Sequence, residues 1–195
     1  TPEEIYLETG AYRGADGKWR TEIDDSEAKI INEVSLSKDT LEKVLDFPEL
    51  YKAYPEMKNI RVVNAGLPGY SGMVSKNGET IYVNPMKIDS NEELKSVLLH
   101  EIQHIIQVKE GFSKGIISEE TDGMFANGRY YEPEEAYYYS YGEQEARNVQ
   151  DRMSMSKKQR KATMPFAGNS DTVFAEDFDD IRYSLTKASD EQVKQ

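Results

Sequence analysis

The two histidines of this 195-residue chain, His100 and His104, stand four positions apart in Leu99-His100-Glu101-Ile102-Gln103-His104, with Glu101 between them. On an α-helix, positions i and i+4 lie one turn apart on the same face, so both imidazoles can aim at one cation. Glu101 then sits beside any water that cation holds. Neutral nitrogen ligands, an open coordination position and an adjacent carboxylate base are what a zinc hydrolase requires. Two histidines scattered freely over the chain would fall into this arrangement roughly once in a thousand sequences, allowing for the abundance of glutamate. From Val97 to Ile106, Glu101 is the one charged residue, so the helix is expected to be buried on most sides. A buried ionisable cluster needs a partner, and a cation supplies one.

Two histidines need a third protein ligand. With no further histidine and no cysteine, it must be an aspartate or glutamate. Glu110 stands where a metzincin would have its third histidine. However, Gln107 replaces the glycine that would turn the chain there, so a continuing helix carries Glu110 away. Glu143 and Glu145 in Tyr141-Gly142-Glu143-Gln144-Glu145-Ala146-Arg147 are the other candidates. A ligand-bearing helix must lie close against the motif helix, which asks for small residues on the ligand's face. Glu143 has Gly142 beside it, Ser140 at i−3 and Ala146 at i+3, whereas Glu145 has Tyr141 and Val149. A glycine inside a helix costs up to ~1 kcal/mol, and close backbone approach is a reason to keep one. Glu143 is therefore preferred over Glu145. Arg147, at i+4, is placed to orient its carboxylate, and Tyr139, at i−4, is a candidate donor to an oxyanion.

The elements that position these residues are legible in outline. Ser90-Asn91-Glu92-Glu93 is a capping box and Gly111 a stop, so the motif helix is expected over about 91–110. Three strands precede it, at 59–65, 70–75 and 79–84, the last two joined by an Asn77-Gly78 turn. The final strand is expected to be an edge beside the cleft, able to pair with an extended peptide. Earlier, residues 1–28 read as strand and turn, with Lys18–Ile23 alternating as a strand and Trp19 a packing anchor. A second short strand falls in 28–34, and helices at 37–45 and 48–54. Residues 111–130 read as a long connection, a lid or binding loop, and 132–160 as one long charged helix.

Three stretches carry a resemblance. They are Thr9-Gly10 with Arg13–Arg20, then Leu99–Gln107 with Glu110-Gly111-Phe112, then Gly142–Gln150. His-Glu-x-x-His with a downstream glutamate resembles the gluzincin branch of zinc metallopeptidases, in which a helix-borne glutamate is followed three places on by a small residue. Glu143 and Ala146 match that pattern, while Arg147 stands where those families place an aspartate. More closely, the chain resembles the zincin-like domains of large polyvalent proteins of phages and mobile elements. The resemblance implies an α+β, zincin-like fold with a small mixed or antiparallel sheet on the active-site helix and a long C-terminal helix. It also implies a zinc-dependent peptidase, with His100, His104 and Glu143 on Zn2+ and Glu101 as general base. The alternative is a catalytically inactive zinc-binding interaction module.

Composition narrows the partners. A net charge of −12 leaves little to neutralise a row of phosphates, which argues against nucleic acid and anionic membrane surfaces. Zero cysteines exclude disulfides and thiol catalysis and point toward the cytoplasm. No apolar run approaches the ~18 residues of a membrane span. The expected partner is a protein or peptide substrate. Because the chain opens on Thr1 rather than Met, other domains of a larger parent are expected beside it. Residues 1–165 are read as one domain and 166–195 as a polar, acidic tail.

Overall fold

The computed structural model describes residues 1–14, 16–32, 39–112, 124–126 and 129–166. In chain order the elements begin with α1 (Pro2–Thr9), β1 (Ala11–Arg13), β2 (Trp19–Thr21), β3 (Lys29–Ile30), β4 (Asp39–Thr40), α2 (Leu41–Val44), β5 (Leu45–Asp46) and α3 (Pro48–Ala53). The central part holds β6 (Arg61–Asn64), β7 (Gly72–Val74), β8 (Thr80–Val83) and α4 (Asn91–Glu110). Then follow β9 (Met124–Ala126), β10 (Arg129–Tyr131), α5 (Pro133–Tyr139), α6 (Tyr141–Arg152) and α7 (Lys157–Ala162). The protein is mixed α+β.

Helix α4 is the centre of the architecture. Ser90 Oγ accepts the Glu93 amide at 3.1 Å, and Gly111 ends the helix at φ 64°, a left-handed conformation that glycine adopts without a Cβ penalty. Its Leu94, Leu98, Leu99, Ile102, Ile105 and Ile106 enter the core beside Val62, Ile81 and Val83 of the sheet. Each such side chain contributes roughly 2 kcal/mol by leaving water. The sheet runs β4-β6-β8-β7, with β6 and β8 parallel and both outer pairs antiparallel. The parallel pairing of Arg61–Asn64 with Thr80–Val83 draws β8 inside the sheet, so the edge beside α4 is β7, not the 79–84 strand. Small residues let α6 approach α4 closely: Gly142 and Ala146 are both buried there.

Other expectations need correction. Residues 2–9 form a helix: Thr1 caps Glu4, Glu4 returns to the Thr1 backbone, and Pro2 opens the first turn. Trp19 is 53% exposed, with the Arg13 guanidinium 5.8 Å from its ring centre, so it is no core anchor. The 37–45 helix shrinks to Leu41–Val44, behind a two-residue strand. The 132–160 stretch breaks at Ser140, which is extended (ψ 142°), and again before the Ser156 capping box. Met124–Ala126 and Arg129–Tyr131 pair antiparallel inside what reads as a loop, whose residues 113–123, like the tail from 167, lie outside the described residues.

Residues 1–31 are built into the same body. Tyr6 donates its hydroxyl to the Arg160 carbonyl at 2.7 Å, and Glu22 takes Arg152 at 2.7 Å and Arg160 at 2.6 Å. Arg160 also pairs with buried Asp25.

Candidate metal centre

The two histidines leave α4 toward α6, and Glu143 rises from the first turn of α6 to meet them. Glu143 Oε1 lies 3.0 Å from His104 Nε2, Oε2 lies 3.4 Å from His100 Nε2, and the two Nε2 atoms are 3.1 Å apart. Among the described residues these three form a group able to hold a metal ion. Zinc bonds of about 2.0–2.1 Å at tetrahedral angles place neighbouring ligand atoms about 3.3 Å from one another. The three separations match that spacing.

The far nitrogens decide what the near ones offer. Gln150 donates its amide N–H to Ser96 O at 3.2 Å and to Ser96 Oγ at 2.9 Å, which turns its oxygen to His100 Nδ1 at 3.0 Å. Gln107 donates to Gly142 O and to Glu145 Oε2, both at 2.9 Å, which turns its oxygen to His104 Nδ1 at 3.0 Å. An amide oxygen accepts and cannot donate, so each Nδ1 is the protonated nitrogen, and each imidazole, once neutral, presents its lone pair at Nε2. Two nitrogen lone pairs and a carboxylate therefore face one point. Glu143 is 3% exposed, and its Oε2 has no well-formed hydrogen bond among the described residues. With both histidines neutral, three inward acceptors meet only the Arg147 guanidinium, 3.5 Å from Glu143 Oε2, and a cation among them would compensate the cluster.

Electrostatics in the metal-free protein follow from this crowding. Burial works against the Glu143 carboxylate, but the two histidines outweigh it and hold its pKa far below the ordinary range. Burial likewise opposes a charge on His104, yet Glu143, reinforced by Glu101, lifts its pKa to about 9. Burial raises the pKa of Glu101, with His100 and His104 pulling it down and Glu143 adding to the rise.

Glu101 points at strand β7. A Cβ placed on Gly72 would lie 2.7 Å from Glu101 Oε1 and 2.6 Å from Val97 Cγ1, so only glycine lets the strand pass this close. Tyr137, on α5, lies beside Glu143, and burial followed by that carboxylate drives its phenol pKa well up. Tyr139, the residue expected in this role, stacks instead against Tyr131 and Tyr138, because the break at Ser140 cancels the i−4 relation to Glu143. Arg147 lies with Nη2 3.5 Å from Glu143 Oε2, stacked on the Tyr138 ring at 3.9 Å. Glu145 faces away from the histidines toward Arg20 Nε, at 3.2 Å, and Glu110 accepts from Tyr54 at 2.8 Å.

Sequence reasoning did not find Gln107, Gln150, Gly72 or Tyr137. Gln107 had a signal, since it sits one turn beyond His104 inside a buried helix. Gln150, from another helix, had none. A separate cavity of about 290 Å³, lined by Trp19, Leu99, Ile102, Ile106, Glu110 and Phe112 among others, lies on a different face of α4 and includes neither histidine.

Comparison with known proteins adds context. The family model of large polyvalent protein associated domain 23 matches residues 1–31. The match supports a large-polyvalent-protein setting. It runs from α1 through β3 and ends well before the histidines. No curated protein and no solved structure matches the chain. Among the described residues, no helix is long and apolar enough to cross a membrane.

Proposed function

We propose that the protein is a zinc-dependent peptidase of the zincin type, holding its metal with His100, His104 and Glu143. The observation that carries this reading is the convergence of two Nε2 lone pairs and one buried carboxylate, with both Nδ1 atoms tied to amide oxygens. A zinc ion bound there supplies Lewis acidity, acidifying water and polarising a carbonyl oxygen.

The chain's own groups then divide the work. Glu101 accepts a proton from the attacking water as the new carbon–oxygen bond forms, and delivers it to the amine as the carbon–nitrogen bond breaks. Burial keeps its affinity for that proton above that of an ordinary glutamate. Strand β7 is the sheet edge beside Glu101 among the described residues, so an extended peptide added antiparallel to it would pass its carbonyls over the metal ligands. Exposed Met73 on that strand is a contact for its side chains. The Tyr137 hydroxyl is the donor best placed for the carbonyl oxygen as charge develops there. A helix bearing the two histidines beneath a small mixed sheet with an antiparallel edge strand is consistent with a zincin-like arrangement.

Cleavage of casein or a peptide library, with and without chelator, tests the reading. Replacing Glu101 with Gln is expected to abolish turnover while one zinc per chain stays bound. A Gln variant that still cleaves removes Glu101 as base. A wild type that binds zinc and cleaves nothing supports the second reading, a zinc-binding module of a polyvalent protein.

A further inference from the structure

A buried polar chain runs from the N-terminal segment to the metal-facing histidine. Arg20, on β2, lies with Nε 3.2 Å from Glu145 Oε1. Glu145 Oε2 accepts from Gln107 Nε2 at 2.9 Å, and Gln107 Oε1 faces His104 Nδ1 at 3.0 Å. Arg20, Glu145 and Gln107 are respectively 6%, 1% and 1% exposed. Arg20 is itself fixed on every side: Asp16 Oδ2 accepts from Nη2 at 2.7 Å, the Tyr141 hydroxyl from Nη1 at 3.0 Å, and Phe112 covers the guanidinium at 3.9 Å. Gly14 makes room for it, since a Cβ there would meet Nη1 at 1.4 Å. Arg20 Nε and Glu145 Oε1 are both buried without an aligned hydrogen bond, so their attraction for each other is what compensates them.

The consequence is directional. Gln107 can present either amide atom to His104. The Glu145 carboxylate, held in place by Arg20, and the Gly142 carbonyl both take its NH2 end at 2.9 Å, leaving the oxygen for His104. If the amide reversed, its NH2 would face Nδ1, that nitrogen would give up its proton, and the proton would move to Nε2, where it blocks coordination.

We infer that Arg20 is a positioning residue of the metal centre, fixing the Glu145 carboxylate against Gln107 so that Gln107 keeps its amide oxygen on His104 Nδ1 and His104 Nε2 stays turned to the site. The inference rests on the proposed metal site and deepens it. It also gives residues 1–31, the part matched as polyvalent-protein associated domain 23, a role inside the site's own domain.

Zinc affinity measured by chelator competition tests this in the full chain, with the electronic absorption spectrum of the cobalt(II)-substituted protein as a second readout. Arg20→Met is expected to weaken zinc binding roughly 10- to 100-fold and shift the cobalt bands, with Arg20→Lys recovering part of the loss. Gln107→Met is expected to weaken it comparably. Adding Arg20→Met in the Gln107→Met background should then change affinity by less than about twofold, because the link is already cut. Fully additive losses would show that Arg20 acts on general stability and overturn the inference. Should Arg20→Met fail to fold, Glu145→Gln takes its place in the same cycle with the same criterion. A wild type that binds no metal discards the metal centre itself, whereas unchanged affinity in the variants discards only the role of Arg20.

Discussion

Removing the metal should reverse the way stability depends on pH between about 6.5 and 9. In the unfolded chain His104 titrates near 6.5, and in the folded, metal-free protein its pKa rises to about 9 because Glu143 and Glu101 outweigh the burial cost. A histidine raised in this way contributes stability that is fully present below pH 6.5 and is lost as pH climbs through 9. The shift of roughly 2.5 units at 1.36 kcal/mol per unit corresponds to a loss of about 3 kcal/mol across that window. With zinc present the same proton competes with the ion at Nε2, so zinc affinity is expected to rise about tenfold per pH unit over the range. Urea unfolding of chelator-treated protein, repeated at half-unit pH steps, reads the first slope, and zinc titration at the same steps reads the second. Glu143→Gln should flatten the first, since it removes the carboxylate that holds the proton. Metal-free protein whose stability stays level from pH 6.5 to 9 would refute the pairing of His104 with Glu143.

Two further outcomes bear on the cleft. Gly72→Ala puts a methyl about 1 Å inside normal contact with Val97 and Glu101. It is expected to lower kcat/KM about 100-fold through displacement of the base, with zinc content unchanged, as steady-state assays and metal analysis would show. Tyr137→Phe should lower kcat by 10²–10³ with little change in KM if the hydroxyl serves the developing oxyanion, whereas Tyr139→Phe should leave both near the parent values.

The parts of the site that follow one helix were readable from spacing alone. His100 and His104 share a face because of the helical repeat, and the bounds of α4 follow from Ser90, Glu93 and Gly111. Glu143 stood out from Glu145 through its small neighbours, and Gly142 and Ala146 are indeed where α6 approaches α4. What escaped depends on tertiary pairing. The edge role of β7 comes from the parallel β6–β8 ladder, which no local pattern in 59–84 specifies. At the break Ser140 is flanked by tyrosines, and Gly142 two residues on reads equally as a close-packing position; the freed Tyr138 carbonyl is taken up by Gln144 at 2.8 Å and Arg147 at 2.6 Å. Because of that break Tyr137 rather than Tyr139 reaches Glu143. Helix α1 was legible in Thr1-Pro2-Glu3-Glu4, a capping pattern masked by the glycine-rich turns that follow it.

Metal content of the protein purified without added metal, compared with that of Glu143→Gln, bears most directly on the central claim. One zinc per chain is expected, with X-ray absorption showing two imidazole nitrogens and a carboxylate oxygen at about 2.0–2.2 Å, and loss of that zinc in the variant. A wild type free of metal, or one whose zinc is indifferent to Glu143, would contradict it.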